Sequence, residues 1–234
     1  MTFLATINAK EYALIASDRM EVAGIGPFSI CVSKEVTKIV STGIGLMTGT
    51  GYVKLLDNVK VAVSNAEISH TEQIIAIIKD NCSIIRGETS YPLTDNEDLI
   101  NRTAWLFTYF THQNENNLIR VALYCPNVAT EHLGLVEDFK CYAFFPSDST
   151  EKLRESTMAT LNAQVVWPNN LNNIENTLSI NSSLILKLMK NVSQSSSMVT
   201  ESCDIGLVFL NGDMMLARNV SIQSPKISFE SINS

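Results

Sequence analysis

Two short apolar segments at the start of the chain constrain its fold more than any other feature. Phe3 to Asn8 and Tyr12 to Ser17 are separated only by Ala9-Lys10-Glu11. Apolar runs of this length on either side of a short polar break predict two strands of a β-hairpin. A charged pair, Asp18-Arg19, follows the second segment directly. The hairpin accounts for the apolar residues but gives no reason for the charged pair.

Periodic apolar residues and capping candidates predict the later elements. Helices are predicted at 69–85, 94–110, 147–162 and 182–193, a loop at 21–28, and extended segments at 28–41, 43–51, 116–127 and 138–146. A closing hairpin is predicted over 203–217, because Asn211-Gly212-Asp213 carries the strongest short-range hairpin signal in the chain. This order of elements predicts an α+β sandwich with segregated layers. We expect one domain over 1–234, with the polar tail 217–234 as a flexible segment or an edge strand.

Composition limits the partners of the chain. Its 234 residues are 45% hydrophobic and 18% charged, which is typical of a globular protein. The net charge of -7 argues against nucleic acid or an anionic membrane as the main partner. No stretch approaches the roughly 18 apolar residues that a membrane span needs, and charged residues interrupt the first 20 positions. We therefore expect a cytoplasmic protein that binds neither nucleic acid nor membrane.

The usual metal and nucleotide motifs are missing from the sequence. The five cysteines form no CxxC pair, and the three histidines form no HxxxH or HExxH motif. The glycine-rich stretch 41–54 contains neither GxxxxGK[ST] nor a correctly placed GxGxxG. The sequence therefore predicts no metal and no cofactor.

Thr2 offers a different chemistry. Removal of Met1 would leave Thr2 with a free α-amino group of pKa about 8, beside its own hydroxyl. Such an amine can take the Oγ proton and make the threonine a nucleophile. A nearby lysine ammonium would lower the pKa of that amine, and an aspartate would hold the lysine in place. Asp18 and either Lys34 or Lys38 could complete this set, although composition alone favours ordinary turn and surface positions for these residues.

The stretch TFLATINAKEYALIASDRMEVAG has a characteristic order: threonine, an apolar strand, a turn, and a second apolar strand ending in Ala-x-Asp, with arginine within two residues. This order resembles the start of a mature proteasome β-type subunit and of its bacterial relatives, the HslV peptidase and the Anbu-type proteasome homologues. These proteins belong to the N-terminal-nucleophile (Ntn) hydrolase superfamily. The spacing of sixteen between Thr2 and Asp18 is the family spacing. The direct Met-Thr start is most similar to HslV and Anbu.

The resemblance implies a four-layer αββα sandwich and a threonine peptidase that forms an acyl-enzyme on Thr2 Oγ. The catalytic lysine has two candidates. Spacing from the nucleophile gives Lys34, whereas the family's Val-x-Lys-[Val/Ile] context is matched by Val36-Thr37-Lys38-Ile39. We prefer Lys38, because EVAGIGPFSICV is consistent with a four-residue loop insertion. Lys38 would then modulate the pKa of the Thr2 amine, and Asp18 would hold Lys38.

Further expectations follow from the resemblance. GLMTGTG resembles the strand and glycine turn before the family's first long helix, which implies Gly49 N–H as the oxyanion donor and Met47 near the substrate pocket. YAFFPSDS resembles a later strand that ends in Gly-Ser-Gly, which implies that Ser147 lies near the threonine amine. The family also implies a peptide or unfolded-protein substrate, a homo-oligomeric ring or spiral, and an ATP-dependent unfoldase as partner.

The segment before the closing hairpin departs from the family pattern. The family usually carries Asp-x-x-Ser-Gly-Gly there, in support of the threonine amine, whereas this chain has SSSMVTES at 195–202. Glu201 is the candidate substitute for the missing aspartate. The Gly-Ser-Gly turn is also replaced, by Pro146-Ser147-Asp148. These departures favour an alternative, a non-catalytic scaffold of the same fold. A small-molecule amidase of the same superfamily that acts through Thr2 is a further alternative.

Overall fold

The computed structural model describes residues 2–23, 30–88, 95–113, 116–128, 133–169, 173–224 and 226–232. The strands are β1 (Leu4–Asn8), β2 (Tyr12–Asp18), β3 (Glu21–Ala23), β4 (Ile30–Ser33), β5 (Val40–Ser41), β6 (Gly45–Thr50), β7 (Ala104–Gln113), β8 (Asn116–Tyr124), β9 (Gly134–Val136), β10 (Lys140–Phe144), β11 (Cys203–Phe209), β12 (Met214–Val220) and β13 (Glu230–Ile232). The helices are α1 (Val53–Ser64), α2 (Thr71–Gly87), α3 (Asn96–Asn101), α4 (Glu151–Gln164) and α5 (Ile174–Ser195).

The strands form two main antiparallel sheets. A six-stranded sheet has the order β10-β1-β2-β11-β12-β13, and a five-stranded sheet has the order β5-β6-β7-β8-β9. Strands β3 and β4 form a separate two-stranded sheet. Because β1 and β2 lie inside the six-stranded sheet, the N-terminal hairpin is paired on both sides, with β10 next to β1 and β11 next to β2. The result is a mixed α/β protein in which the first strand is held by later parts of the chain.

Three apolar clusters explain why the hairpin strands are buried on both faces. Leu14 and Ala16 of β2 pack in a cluster with residues of α5 and β11. Ile15, which points to the opposite face of β2, packs with residues of β6, β7 and β8 from the other sheet. A further cluster joins α1 and α2 to the five-stranded sheet through Trp105 and Phe107. Full burial of each large apolar side chain contributes about 1.5–3 kcal/mol, so these contacts fix the hairpin firmly.

The prediction of a helix over 94–110 is wrong for most of its length. The described part contains only the short helix α3, which is capped by the Asp95 side chain accepting a hydrogen bond from Glu97 N–H. Residues from Ala104 onward form β7 instead. AWLFTYF is rich in aromatic residues and is apolar at successive positions, because β7 is covered on one face by helices and on the other by the second sheet. A strand buried on both faces has no alternating pattern, and a buried helix gives the same signal.

Other element boundaries also differ from the expectations. Residues 21–23 of the predicted loop form β3. The rest of that loop lies outside the described residues, as does half of the stretch 21–32 to which the insertion was assigned. Helix α5 begins at Ile174, eight residues before the predicted start at 182. Helix α1 was implied only by the family resemblance. It follows Gly51, whose φ of +127° and close approach to the Thr103 backbone exclude a side chain. The tail beyond Ala217 contains the end of β12 and the edge strand β13.

Candidate active site

The N-terminal hairpin brings Thr2 and Asp18 together. Thr2 lies two residues before the start of β1, and Asp18 is the last residue of β2. Phe3 joins the start of the hairpin to its end: its N–H donates to Asp18 Oδ1 at 3.1 Å, and its carbonyl accepts from Asp18 N–H at 3.2 Å. Met20 N–H donates to the other carboxylate oxygen at 2.8 Å. Antiparallel pairing of two adjacent strands therefore places a fully buried carboxylate beside the N-terminus.

Lys38 is the lysine that lies at this position. Its Nζ donates to Thr2 Oγ1 at 2.8 Å and to Asp18 Oδ1 at 3.1 Å. The side chain is buried, whereas Lys34 is exposed. Ile39, the next residue, is completely buried between the two sheets and anchors the backbone on the C-terminal side of Lys38. The structure thus joins a hydroxyl, an ammonium and a carboxylate in one hydrogen-bonded row.

Burial dominates the electrostatics of this row. It lowers the pKa of the Lys38 ammonium, and the adjacent Asp18 carboxylate opposes that shift. Burial likewise raises the pKa of Asp18, opposed first by the charge of Lys38 and then by the hydrogen bond from Met20 N–H. Each charge therefore offsets part of the desolvation of the other, and removal of one would leave its partner isolated in a buried environment.

Thr50 is a site residue that the sequence did not predict. Thr2 N–H donates to Thr50 Oγ1 at 3.2 Å, and Thr50 is buried at the end of β6. The contact joins residues 48 positions apart, so it depends on how the two sheets pack. The only sequence signal is the position of Thr50 within TGTG, beside the predicted oxyanion glycine.

A small cavity opens beside the row. It has a volume of about 40 Å³, and Thr2, Lys38 and Gly49 all line it. Its apolar lining comes from Met47, Val53, Leu56 and Trp105, and charged side chains are contributed by Glu21, Asp57 and Lys60. A Cβ at Gly49 would lie 2.6 Å from the Leu56 side chain and 2.9 Å from a backbone oxygen. Packing alone therefore requires glycine at position 49.

Ser147 lies between β10 and α4, and its hydroxyl contacts the segment that precedes β11. Its side chain is exposed, and its hydroxyl contacts Met198 Sδ at 3.7 Å; among the described residues no hydrogen bond links it to Thr2. The adjacent Asp148 instead accepts hydrogen bonds from Ser196 Oγ at 2.7 Å and Ser197 N–H at 3.2 Å. The two segments that depart from the family pattern are therefore bonded to each other. Glu201, the candidate substitute acid, pairs with Lys190 at 3.8 Å.

Known structures share this architecture. Two structures of Anbu from Hyphomicrobium sp. strain MC1 superpose over nearly the whole chain: a Gly-1 mutant with a TM-score of 0.59 at 12% identity, covering 97% of this chain and 89% of that chain, and a second with a TM-score of 0.58 at 11% identity, covering 99% and 88%. Eukaryotic HslV from Trypanosoma brucei gives a TM-score of 0.50 at 10% identity, covering 88% of this chain and 99% of that chain. The chain has the proteasome-like Ntn-hydrolase fold. No family model and no curated protein matches the sequence.

Within this proteasome-like fold, Arg19 joins three segments around the candidate site. Its backbone N–H donates to Thr200 Oγ1 at 2.9 Å, and its carbonyl accepts from Val36 N–H at 3.0 Å. Its guanidinium donates to the Glu35 carbonyl at 3.2 Å. Arg19 therefore contacts both the segment that leads to Lys38 and the segment that leads to β11.

The described part of the chain contains no group of three or more His, Cys, Asp or Glu side chains that could hold a metal ion. None of its helices combines the length and the apolar character needed to cross a membrane.

Proposed function

We propose that this protein is a threonine peptidase whose nucleophile is Thr2 after removal of Met1. The observation that carries the proposal is the contact between Lys38 Nζ and Thr2 Oγ1 at 2.8 Å, with Asp18 behind the lysine at 3.1 Å. A threonine hydroxyl that is buried beside an ion pair does not serve to solvate the protein surface. It is placed where it can be activated as a nucleophile. The proteasome-like fold supports the same conclusion.

The proposed reaction is acyl transfer through Thr2. The α-amine freed by loss of Met1 takes the Oγ proton as Oγ bonds to the carbonyl carbon of the substrate. Lys38 orients Oγ and, as an ammonium, stabilises the negative charge that develops on it, and Asp18 keeps the ammonium in place. The carbon–nitrogen bond then breaks, and the proton passes to the leaving amine. Water then attacks the ester while the Thr2 α-amine takes a proton from it. The ester bond breaks, the acid is released, and the α-amine returns the proton to Thr2 Oγ.

The cavity suggests which substrate group lies beside Thr2. A volume of about 40 Å³ has room for only about three or four water molecules, which suits a small side chain. Met47 and Val53 make part of its lining apolar. We therefore propose a small apolar residue before the cleaved bond. Gly49 N–H is the proposed oxyanion donor, because Gly49 lines the same cavity.

The finer architecture and assembly are also proposals. We infer a four-layer αββα sandwich, because one apolar cluster contains residues of both sheets and the other two join each sheet to its own helices. The family resemblance supports a homo-oligomeric ring or spiral that encloses the sites, with an ATP-dependent unfoldase supplying unfolded protein.

Three measurements test the peptidase proposal. Intact mass of the purified protein should show loss of Met1, and a β-lactone or epoxyketone probe should then modify Thr2. Wild-type protein should cleave fluorogenic peptides with alanine or valine before the fluorophore, and Thr2→Ala should abolish cleavage and labelling. Thr2→Ser, which keeps a hydroxyl beside Lys38, should retain both. Quantitative retention of Met1 in active protein, or equal cleavage by Thr2→Ala, would exclude Thr2 as the nucleophile.

Specific observations support two other candidates. The small cavity favours a small-molecule amidase that uses the same nucleophile, and such an enzyme would hydrolyse short acyl amides but no peptide longer than a few residues. The exposure of Ser147, with no hydrogen bond to Thr2 among the described residues, favours a non-catalytic scaffold. Failure of probe labelling in protein that has lost Met1 would select the scaffold.

A further inference from the structure

Asp204 is a buried carboxylate that the proposed reaction does not use. It lies in β11 and is fully buried, next to Ser17 of β2 in the sheet register. Its Oδ1 lies 3.6 Å from an Arg19 guanidinium nitrogen, and its Oδ2 lies 3.9 Å from one of Arg218. Oδ2 has no hydrogen-bond partner among the described residues. Buried carboxylates are rare unless a partner or a function requires them.

The backbone around Asp204 is irregular. The register between β11 and β12 shifts between Cys203 and Ile205, where a β-bulge interrupts the ladder. Asn219, on the opposite strand, has a φ of +52°, and its N–H donates to Asp204 Oδ1 at 2.9 Å. Bulges are frequent beside active sites, where they redirect side chains. Here the bulge stands opposite the end of β2, because Cys203 pairs with Asp18.

Arg19 connects Asp204 to the candidate active site. The Arg19 side chain is largely buried, and one guanidinium reaches both Asp204 and the Glu35 carbonyl. Glu35 lies three residues before Lys38, in a segment without helix or strand. A planar guanidinium carries several N–H groups in fixed directions, so a single Arg19 side chain can pair with Asp204 and donate to the Glu35 carbonyl at the same time. The charge of Asp204 thus keeps the Arg19 guanidinium in the position from which it donates to the Glu35 carbonyl, in the segment that leads to Lys38.

We propose that Asp204 is a positioning residue: through Arg19 it fixes the segment that places Lys38 against Thr2 and Asp18. This inference rests on the proposed function where it predicts a rate, and on the structure alone where it predicts backbone order. Asp204 would not touch substrate. Its contribution would come from the placement of the Lys38 ammonium, because an error of about 1 Å in a catalytic group can cost about 100-fold in rate.

Asp204→Asn is the primary test, with Arg218→Gln as the matched control. Asparagine keeps an oxygen for Asn219 N–H but loses the charge that holds Arg19. We expect kcat for a fluorogenic peptide to fall by about 10- to 100-fold with KM unchanged. Arg218 contacts the same carboxylate but is about half exposed, with 47% of its side chain accessible, so Arg218→Gln should keep the wild-type kcat. Wild-type kcat in Asp204→Asn, or an equal fall in both variants, would overturn the proposal.

A second variant covers the case in which Asp204→Asn does not fold. Arg19→Lys keeps a positive charge opposite Asp204 but cannot also bridge to the Glu35 carbonyl. It should reproduce the loss of kcat at unchanged KM, and in the double variant the two effects should be less than additive. Folded Arg19→Lys with the kcat of the wild type would refute the role of the bridge.

Hydrogen exchange separates this inference from the proposed function. Val36 N–H bonds to the Arg19 carbonyl, so peptides covering 33–38 should exchange faster in Asp204→Asn and Arg19→Lys than in wild type or Arg218→Gln. The Ala9 N–H in the hairpin turn, bonded to the Tyr12 carbonyl, should not change. If the wild type has no peptidase activity, the proposed function fails and exchange still decides the inference. Unchanged exchange at 33–38 would overturn it.

Discussion

Replacement of Lys38 by methionine gives the sharpest test of the site, because methionine keeps the length and apolar stem of lysine but removes the ammonium. Asp18 is then left fully buried without a counter-charge. Loss of one partner of a buried ion pair costs about 3–5 kcal/mol. We expect a loss near 3 kcal/mol, because the hydrogen bonds from Phe3 and Met20 N–H remain and Asp18 can take up a proton. In the reaction, loss of a preorganised charge at the developing anion should lower kcat by about 10²–10³-fold.

Lys34→Met is the matched control, since both variants remove one lysine charge from the same short segment. Lys34 is exposed, so its replacement should change the free energy of unfolding by less than about 0.5 kcal/mol and leave kcat unchanged. Urea unfolding and steady-state cleavage of a fluorogenic peptide measure the two effects. Equal stability and activity of both variants would refute the assignment of Lys38, and a loss confined to Lys34→Met would reverse it.

Three further predictions concern the same site. Thr50→Val removes the acceptor of Thr2 N–H and should destabilise unprocessed protein by about 1–3 kcal/mol, with unchanged urea midpoints contradicting the hydrogen bond. Gly49→Ala should cost about 1–3 kcal/mol, because its Cβ would overlap a backbone oxygen; a melting temperature equal to that of wild type would show that the contact relaxes freely. Burial lowers the pKa of Lys38 in the folded protein below its value in the unfolded chain. Between these two pKa values the unfolded chain binds more protons, so the contribution of Lys38 to the free energy of unfolding should rise with pH over that range. Urea unfolding at several alkaline pH values should show this rise in wild type and not in Lys38→Met, and parallel curves would contradict it.

The two hairpins and the meeting of Thr2 with Asp18 could be predicted from the sequence, because both depend on short stretches of neighbouring residues. The strands β1 and β2 are apolar runs separated by a short polar break, and the closing hairpin has Asn-Gly at its turn. Thr2 and Asp18 meet because hairpin register sets their distance, and it was the match of their spacing to the family's that suggested the pair.

Contacts that depend on the packing of distant segments could not be predicted in the same way. Thr50 reaches Thr2 only because β6 packs under the N-terminal strand, and no local pattern encodes that. Strand β7 resembled a helix because both of its faces are buried. Spacing from Thr2 favoured Lys34 and the Val-x-Lys-Ile context favoured Lys38, and the burial that distinguishes the two lysines arises only on folding. Asp148, in the turn whose sequence differs from the family's, bonds to Ser196 and Ser197, and that contact between distant segments also has no local signal.

The position of Lys38 outside any helix or strand explains why the site needs anchors beyond the hairpin. Thr2 and Asp18 are fixed by strand pairing, whereas residues 34–39 have no ladder of their own. Two contacts of different kinds compensate: Ile39 is buried between the sheets on one side of Lys38, and Arg19 holds the backbone on the other. The apolar anchor alone would leave the Lys38 segment free to pivot about Ile39, and such a pivot changes the distance from Nζ to Thr2 Oγ1. A second attachment removes that freedom, which gives a physical reason for a charged residue as deeply buried as Asp204.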